Sequence, residues 1–517
     1  MPPSPARLAE ILGALTLATD AAAGLGSESA MKVCLVATET GRALGLTGAE
    51  LRTVFDAGIL RFLGCTAYAH ETARLHSGGD DAAALRALSL ADLGKPQSVL
   101  KAAVRGLASS GPPAARVTAL LHFASDRRLP KKLATAHCQL AEYLAGELRM
   151  SDSVVTALDQ MYERFDGKGE PHGLRGDQIV MPARLLHLGF RVVAHHTLLG
   201  PREALEAVAE RAGTELDPDV ARAFASVGPE LLATLASPSV REAFLATEPG
   251  PRATVEGGEL LRACFAFATY ADMKSPYTLG HSPSVAALSA TAAGLLGMGE
   301  SEQAQIEIAA LLHDLGRVSV PNGIWDKTGP LTAGERARIE QHSYETEHIL
   351  SQSVALTEFA ELAGMHHERL DGSGYHRRLS GSGAIPLGAA VVAAADAYRS
   401  QVEERPYRPA STPGEAAAHV ARLAAEGRID RKAADAVIEA AGQSARENRA
   451  SLPAQLSERE AEVLVLVAKG LTNKQVAARL VISPRTVQNH LASVFLKTGV
   501  NNRAAATLFA TRHGLIE

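Results

Sequence analysis

The chain repeats itself, and that repeat limits its fold more than any other feature. Residues 20–64 align without a gap to 272–316 at an offset of 252: Asp20 matches Asp272, Leu44-Gly45 matches Leu296-Gly297, and Leu63-Gly64 matches Leu315-Gly316. At an offset of 205, His137 matches His342, and Glu163-Arg164-Phe165-Asp166-Gly167-Lys168-Gly169 matches Glu368-Arg369-Leu370-Asp371-Gly372-Ser373-Gly374. Whatever domain this sequence encodes, it must be built twice. The two offsets, 252 and 205, differ by 47 residues, an insertion in the first copy. Gly78-Gly79 and Gly111-Pro112-Pro113 mark loops that place it within about 72–120. Helical spacings run throughout and alternating strand patterns are rare. With 46% apolar but only 4% aromatic residues, the cores must be built from Ala, Leu and Val, and the expected class is all-α.

The second copy carries the chemistry. His313-Asp314 ends the apolar run Ile306–Leu315, and burying such a pair costs several kcal/mol unless it is ion-paired or bound to metal. A buried His–Asp salt bridge is the simpler reading, but the surroundings favour metal. His281 precedes the pair; His342, His366-His367 and Asp396 follow it, the last at the end of Val391-Val392-Ala393-Ala394-Ala395. Imidazole and carboxylate ligands suit iron, manganese, zinc or nickel. A carboxylate has two oxygens and can bridge two ions about 3.5–4 Å apart. Asp314 is the natural bridge, with the histidines divided between the ions. In the first copy the positions of His281, His313, Asp314, His366 and His367 hold Ser29, Arg61, Phe62, Met161 and Tyr162, and a one-residue gap puts Phe190 at Asp396. Only His137 survives, so this copy is expected to be metal-free, a structural partner or a sensory pocket. His195-His196, with no partner motif nearby, read as surface or helix-end residues.

The order His, His-Asp, His, His-His, Asp resembles the HD phosphohydrolase superfamily, and local strings narrow the resemblance to its HD-GYP group. These are Asp272-x-Lys274-Ser275-Pro276-Tyr277-Thr278-x-Gly280-His281-Ser282, His313-Asp314-Leu315-Gly316, His366-His367-Glu368-Arg369-x-Asp371-Gly372-x-Gly374-Tyr375, and Arg405-Pro406-Tyr407-Arg408. They cover roughly 260–445. The resemblance implies a metal-dependent phosphohydrolase, a phosphodiesterase with two divalent transition-metal ions, iron or manganese. Metal would be held by His281, His313, Asp314, His342, His366, His367 and Asp396. His313, Asp314 and Arg317 would be catalytic, Arg317 neutralising phosphate charge. Glu368, Asp371, Gly372, Gly374 and Tyr375 would shape the loop. Glu368 and Asp371 persist in the first copy as Glu163 and Asp166, so a structural role is the simpler inference for them. Two departures bear on the substrate and not on the metal ligands: Arg317 stands where the group usually has Lys, and His376 where it usually has Pro. The phosphorylated small molecule, with cyclic dinucleotides among the candidates, is therefore left open. The rival reading is a non-catalytic sensor whose ligand occupancy controls DNA binding.

The C-terminal residues have another character. Residues 454–517 hold eight Lys/Arg against four Glu, a net +4, on a chain whose formal net charge is −5. A basic module on an acidic body is the footprint of nucleic-acid binding. Ser457 with Glu460 forms a capping box, Gly470 stops the first helix, Asn473–Leu480 is a short second, and Val481-Ile482 turns into a third opened by Ser483-Pro484. Gly470-Leu471-Thr472-Asn473-Lys474-x-Val476-Ala477, Ser483-Pro484-Arg485-Thr486-Val487-x-Asn489-His490 and Asn502-Arg503-x-x-Ala506 resemble the LuxR-type helix-turn-helix. The resemblance implies a bacterial transcriptional regulator. The helix about Pro484–Lys497 would enter the major groove. With Val487, Leu491 and Val494 buried, Gln488, Asn489 and Ala492 face bases, Ser493 lies at the margin, and Lys474, Arg485, Thr486 and Lys497 meet the backbone.

At 517 residues, two to four domains are expected. The divisions read as a degenerate copy over 1–248, an intact copy over 252–445 and the four-helix module over 454–517. Thr247–Arg252 and Gln443–Pro453 join them. Cys34, Cys65, Cys138 and Cys264 show no C-x-x-C spacing, which argues for a reducing cytoplasm. No apolar run reaches the roughly 18–20 residues of a membrane span. Met1–Ala18 reads as a first amphipathic helix rather than a signal peptide. The expected partners are an inverted-repeat operator and a second copy of the chain, with no membrane.

Overall fold

The computed structural model describes residues 6–516 apart from 110, 127, 256, 382, 448–451, 499, 501–502 and 514. Asn502 of the expected LuxR-type pattern and residues 1–5 of the expected first helix therefore lie outside the described residues. Those described are overwhelmingly helical, in agreement with the all-α expectation. The strands are a short antiparallel pair, Ala6–Arg7 with Thr254–Val255. No described helix is long and apolar enough to cross a membrane.

Two compact units are present, Met1–Ala266 with Pro321–Trp325, and Phe267–Val320 with Asp326–Glu517. The division falls at Ala266 rather than in the turn-rich Thr247–Arg252. Thr254–Val255 pairs with Ala6–Arg7, and the buried Glu248 carboxylate is held by Arg7 and by Arg52 at 3.1 Å. These bonds tie the would-be linker to the first unit. The polar stretch expected to open the second linker continues the helix Arg431–Glu447 instead. The helix-turn-helix segment belongs to the second unit.

The first unit packs helices Leu8–Ala23, Ser29–Ala43, Gly48–Ile59, Leu129–Glu147 and Met181–Leu198 around a core of Ala, Leu and Val, with Phe55 stacked on Phe244 at 5.2 Å. Helices Asp81–Ser89, Pro96–Ala102 and Pro113–Ser125 lie in and around the extra segment near 72–120. The first of these supplies Ala84 to a small local core with Leu75, Ala103, Leu107 and Leu129, against which Leu120 and Phe123 of the last are packed. Near the end of Met181–Leu198, His195 is buried with Nδ1 2.8 Å from the Arg191 carbonyl. The helix-end reading of His195 holds, but the surface reading does not. A buried ion network closes this unit. The Glu215 carboxylate, with no side-chain exposure, meets His187 at 2.9 Å, Arg211 at 3.0 Å, Arg164 at 3.5 Å, and Arg191.

The second unit repeats the same local devices. Asp20 accepts from the Ala30 N–H at 2.8 Å, and Asp272 accepts from the Ser282 N–H at 2.8 Å. Burial pushes these carboxyls up to about 8 and about 7. Each tie pins a helix start, at Ser29 and at His281, just after a left-handed residue, Glu28 or Gly280. Gly64 and Gly316 allow equally close approaches: a Cβ on Gly64 would run into the His137 carbonyl, and one on Gly316 into the His342 carbonyl. Glu163 accepts from the N–H groups of His172, Gly173 and Leu174, and Glu368 from those of Arg377, Arg378 and Leu379. Asp166 and Asp371 cap the N–H two residues on, of Lys168 and Ser373. All four carboxylates thus organise backbone.

Candidate metal centre and nucleic-acid interface

Five elements of the second unit bring the seven expected ligands together. Helix His281–Leu295 supplies its first residue. Helix Glu300–Leu312 delivers His313 and Asp314 at its C-terminal end. Thr332 closes a capping box with Glu335 and starts Ala333–Leu350, which carries His342. His366-His367 follow Val354–Gly364, and Asp396 lies inside Leu387–Val402. The five histidines crowd together: ring centroids are 5.3 Å apart for His281 and His313, 4.9 Å for His313 and His366, and 5.0 Å for His342 and His367.

The ligands fall into two groups. Among the described residues, His342, His366 and His367 form one cluster able to hold a metal, and His281, His313 and Asp314 another. Asp314 faces both. Its Oδ2 lies 3.5 Å from His313 Nε2 and 3.7 Å from His281 Nε2, while its Oδ1 lies 3.4 Å from His342 Nε2 and 3.7 Å from His366 Nε2. Asp396 also spans the two, with Oδ1 3.2 Å from His281 Nε2 and Oδ2 3.8 Å from His367 Nδ1.

The chemistry of this donor set fits divalent cations. His313 Nδ1 stands 2.6 Å from the Ala310 carbonyl, His342 Nδ1 2.5 Å from that of Ile339, and His366 Nδ1 2.6 Å from that of Ala363. An Nδ1–H donated to each carbonyl leaves the Nε2 lone pair aimed inward. His342 Nε2 and His366 Nε2 are then 3.0 Å apart, two lone pairs that repel unless a cation lies near. His313 Nε2 is buried and has no hydrogen-bond partner. Burial holds His342 and His366 neutral, and holds His367 down to about 3. Although burial opposes it, Asp314 stays well below the usual carboxylate range because Arg317 and the surrounding histidines favour its charge. Arg317 Nη1 donates to Asp314 Oδ2 at 2.8 Å. Tyr375 lies against the site, its ring 4.8 Å from that of His367.

One residue escaped the sequence reading. Glu403 Oε2 accepts from His281 Nδ1 at 2.9 Å, is buried, and is held in turn by Arg405 Nη2 at 2.8 Å. Burial disfavours charge on His281, but Glu403 and Asp396 outweigh it and raise His281 to about 10. A carboxylate behind a ligand histidine fixes its tautomer, and losing such a partner typically weakens metal binding about 10–100-fold. Glu403→Gln should therefore lower the affinity for Mn2+ by roughly that factor, measurable by competition with a chromophoric chelator. The available signal was the acidic Glu403-Glu404 pair abutting Arg405.

The equivalent place in the first unit is filled. Arg61, 1% exposed, stands with its guanidinium carbon 4.4 Å from the Tyr162 ring centroid and 5.0 Å from that of Phe190. Its Nη1 is 3.0 Å from Met161 Sδ. His137 Nδ1 is 2.9 Å from the Tyr162 hydroxyl. A desolvated cation over aromatic faces gains about 2 kcal/mol or more.

At the C-terminus, the helices are Glu458–Ala468, Asn473–Leu480, Pro484–Thr498 and Arg503–Arg512. Ser457–Glu460 and Thr472–Gln475 form capping boxes. Val463, Val467, Val476, Ala477, Val487 and Leu491 make one apolar cluster. Gln488, Asn489 and Ala492 are exposed, as are Lys474 and Arg485. Thr486 is half-buried, its hydroxyl 2.8 Å from that of Ser483. Lys497 is ion-paired with Glu460 at 2.7 Å, so a phosphate contact by Lys497 must compete with that carboxylate.

Comparison with known proteins places these features. The HD domain family matches residues 126–220 and 266–433, together about half of the chain. The luxR family of bacterial regulatory proteins matches 454–510. The chain is 28% identical over 408 residues to 3′3′-cGAMP-specific phosphodiesterase 3 of Vibrio cholerae, covering 78% of this chain and 88% of that one. It is 39% identical over 152 residues to a cyclic di-GMP phosphodiesterase of Thermotoga maritima, covering 29% of this chain and 40% of that one. The crystal structure of the Vibrio cholerae cyclic GMP-AMP phosphodiesterase V-cGAP3 shares the fold, with a TM-score of 0.58 at 24% identity over 85% of this chain and 98% of that one.

Proposed function

Since the chain belongs to the HD domain family and ends in a luxR-family regulatory module, we propose that it is a DNA-binding regulator whose second HD domain hydrolyses a cyclic dinucleotide. The observation that carries this reading is Asp314, with one oxygen toward each histidine cluster. One ion would be held by His281, His313, Asp314 and Asp396, the other by His342, His366, His367 and Asp314, with iron or manganese suited to the donors. When bound, such ions supply Lewis-acid stabilisation of a phosphoester and activate water. The chain's own residues do the rest. The backbone carbonyls of Ala310, Ile339 and Ala363 fix three imidazole tautomers, and Glu403 a fourth. Arg317 places a fixed positive charge beside Asp314, where a phosphate would bring its negative charge. The Vibrio cholerae relative makes 3′3′-cGAMP the first substrate to try. The reading includes a cytoplasmic location, supported by four buried free cysteines, and a homodimer on an inverted-repeat operator.

Elemental analysis of the full chain after manganese loading should find about two ions per chain, the count of a two-metal site. The loaded protein should then turn over one of a panel of cyclic dinucleotides. Tight metal uptake with no turnover on any of them would favour the non-catalytic sensor.

The DNA reading separates two kinds of contact. Asn489→Ala should relax preference at one operator position, because Asn can pair bidentately with adenine for about 1–3 kcal/mol of discrimination. Lys474→Ala should weaken all sequences alike and reduce the salt slope by about one. Selection from random DNA and binding titrations at several salt concentrations measure both. An Asn489→Ala protein with the wild-type preference at every position would remove that residue from base reading.

A further inference from the structure

The helix-turn-helix module, which a sequence reading hangs on a polar linker, is packed onto the turn that presents His281. Leu279, 8% exposed, joins the module's own apolar cluster with Leu456, Leu464, Ala468, Val494, Ala506, Ala510 and Ile516. Met273 packs against the same cluster. At Gly280, whose φ is +75°, a Cβ would stand 3.4 Å from the Ile516 carbonyl oxygen and 3.6 Å from Thr511 Cγ2. The very next residue is His281. A second contact reaches the other side of that imidazole: Arg479 Nη2 lies 3.7 Å from Glu404 Oε2, next in sequence to Glu403, which holds His281 Nδ1. Arg405 joins the two contacts, donating both to the Tyr277 carbonyl and to Glu403. Meanwhile Gln488, Asn489 and Ala492 are exposed, so the docked module buries its last helix and C-terminal residues and not its reading face.

We propose that the DNA-binding module is itself a positioning element of the metal centre, so that metal binding at His281 and the docking of the module are energetically linked. The proposal rests on the reading of 267–445 as a metal site. An interface that changes with one ligand must change the affinity for that ligand in return, and couplings of this kind are typically about 5–150-fold. Leu279 and Met273 make the apolar part of the contact. The Arg479–Glu404 pair is partly exposed, so removing it alone is a small change, and reversing its sign is the informative one.

The test is Mn2+ affinity of the full chain, measured by chelator competition, in variants made on the module rather than at the metal. Ile516→Ala and Arg479→Glu are each expected to weaken Mn2+ binding by about fivefold or more. Glu404→Arg combined with Arg479→Glu should recover it, a rescue that general damage to the module would not show. Binding of a non-specific DNA duplex reports that each variant's module is folded. Unchanged Mn2+ affinity in both variants overturns the coupling and leaves the phosphodiesterase reading intact. A wild-type chain that takes up no Mn2+ overturns that reading and the coupling with it.

Discussion

A chain carrying Asp314→Ala is expected to lose its metal and its phosphodiesterase activity together. Both oxygens of this carboxylate are committed, one to each histidine cluster, and Arg317 is bound to it as well. Without Asp314, neither cluster would have its shared anionic ligand, and the half-buried Arg317 loses its bond to that carboxylate. Metal ions supply several kcal/mol of transition-state stabilisation in phosphoester hydrolysis, and each 1.36 kcal/mol is tenfold, so the rate should fall by about 10³ or more. Elemental analysis and a cyclic-dinucleotide assay on the same sample measure both effects. Arg317→Ala makes the contrast: the ligands survive it, so metal should remain while the apparent affinity for substrate falls. An Asp314→Ala protein that retained two ions and wild-type turnover would rule out this carboxylate as the bridge.

The second large effect is on stability. The Glu215 carboxylate, with no side-chain exposure, faces Arg191, Arg211, His187 and Arg164, of which Arg164 is also paired with Asp92 and Asp166. Removing one partner of a buried pair costs about 3–5 kcal/mol, because the remaining charge is left uncompensated. Glu215→Gln keeps the shape and removes the charge, so the first unit should unfold at markedly lower urea concentration, followed by circular dichroism. The pH dependence has a definite sign. Although burial opposes it, Arg191, His187 and Arg164 hold Glu215 well below its ordinary value of 4.5. The stabilisation is thus fully present above about pH 4.5 and is lost as pH falls through the depressed folded value. In the Gln variant this acid-dependent part of the stability should be absent. Equal midpoints for the two proteins at neutral pH would show that the network contributes nothing net.

Much of this was readable in the residues themselves. The seven expected ligand residues stand at recognisable spacings because each is pinned to a helix end or a helix face, and the fold brings their side chains near one another. The capping box at Ser457 was legible because capping is local chemistry. What was hidden is what crosses sequence distance. Glu403 reaches His281 over 122 residues, and only the folded path of Leu387–Val402 brings them together. Glu215 draws its cations from 164, 187, 191 and 211, a scatter that reads as ordinary surface charge. Leu279 looks like any apolar residue in a turn, and nothing near it announces that its partners lie beyond residue 452. The division at Ala266 was missed for a related reason: a two-residue strand pair carries almost no pattern of its own.

Arg61 makes the first unit costly to convert into a metal site. Its guanidinium stands among Tyr162, Phe190 and Met161, at the positions that match His367, Asp396 and His366 of the second copy. Placing a histidine there, as in Tyr162→His, removes a face of the aromatic cage while the cation stays in place. Arg61→His leaves a smaller imidazole beside Phe62 and Phe190, where the second copy has Asp314 and Asp396. Each single substitution thus loses packing without completing a ligand set, and a metal gains no foothold until several changes coexist. The arginine acts as a lock on this half of the chain, opened by a combination and not by any one key.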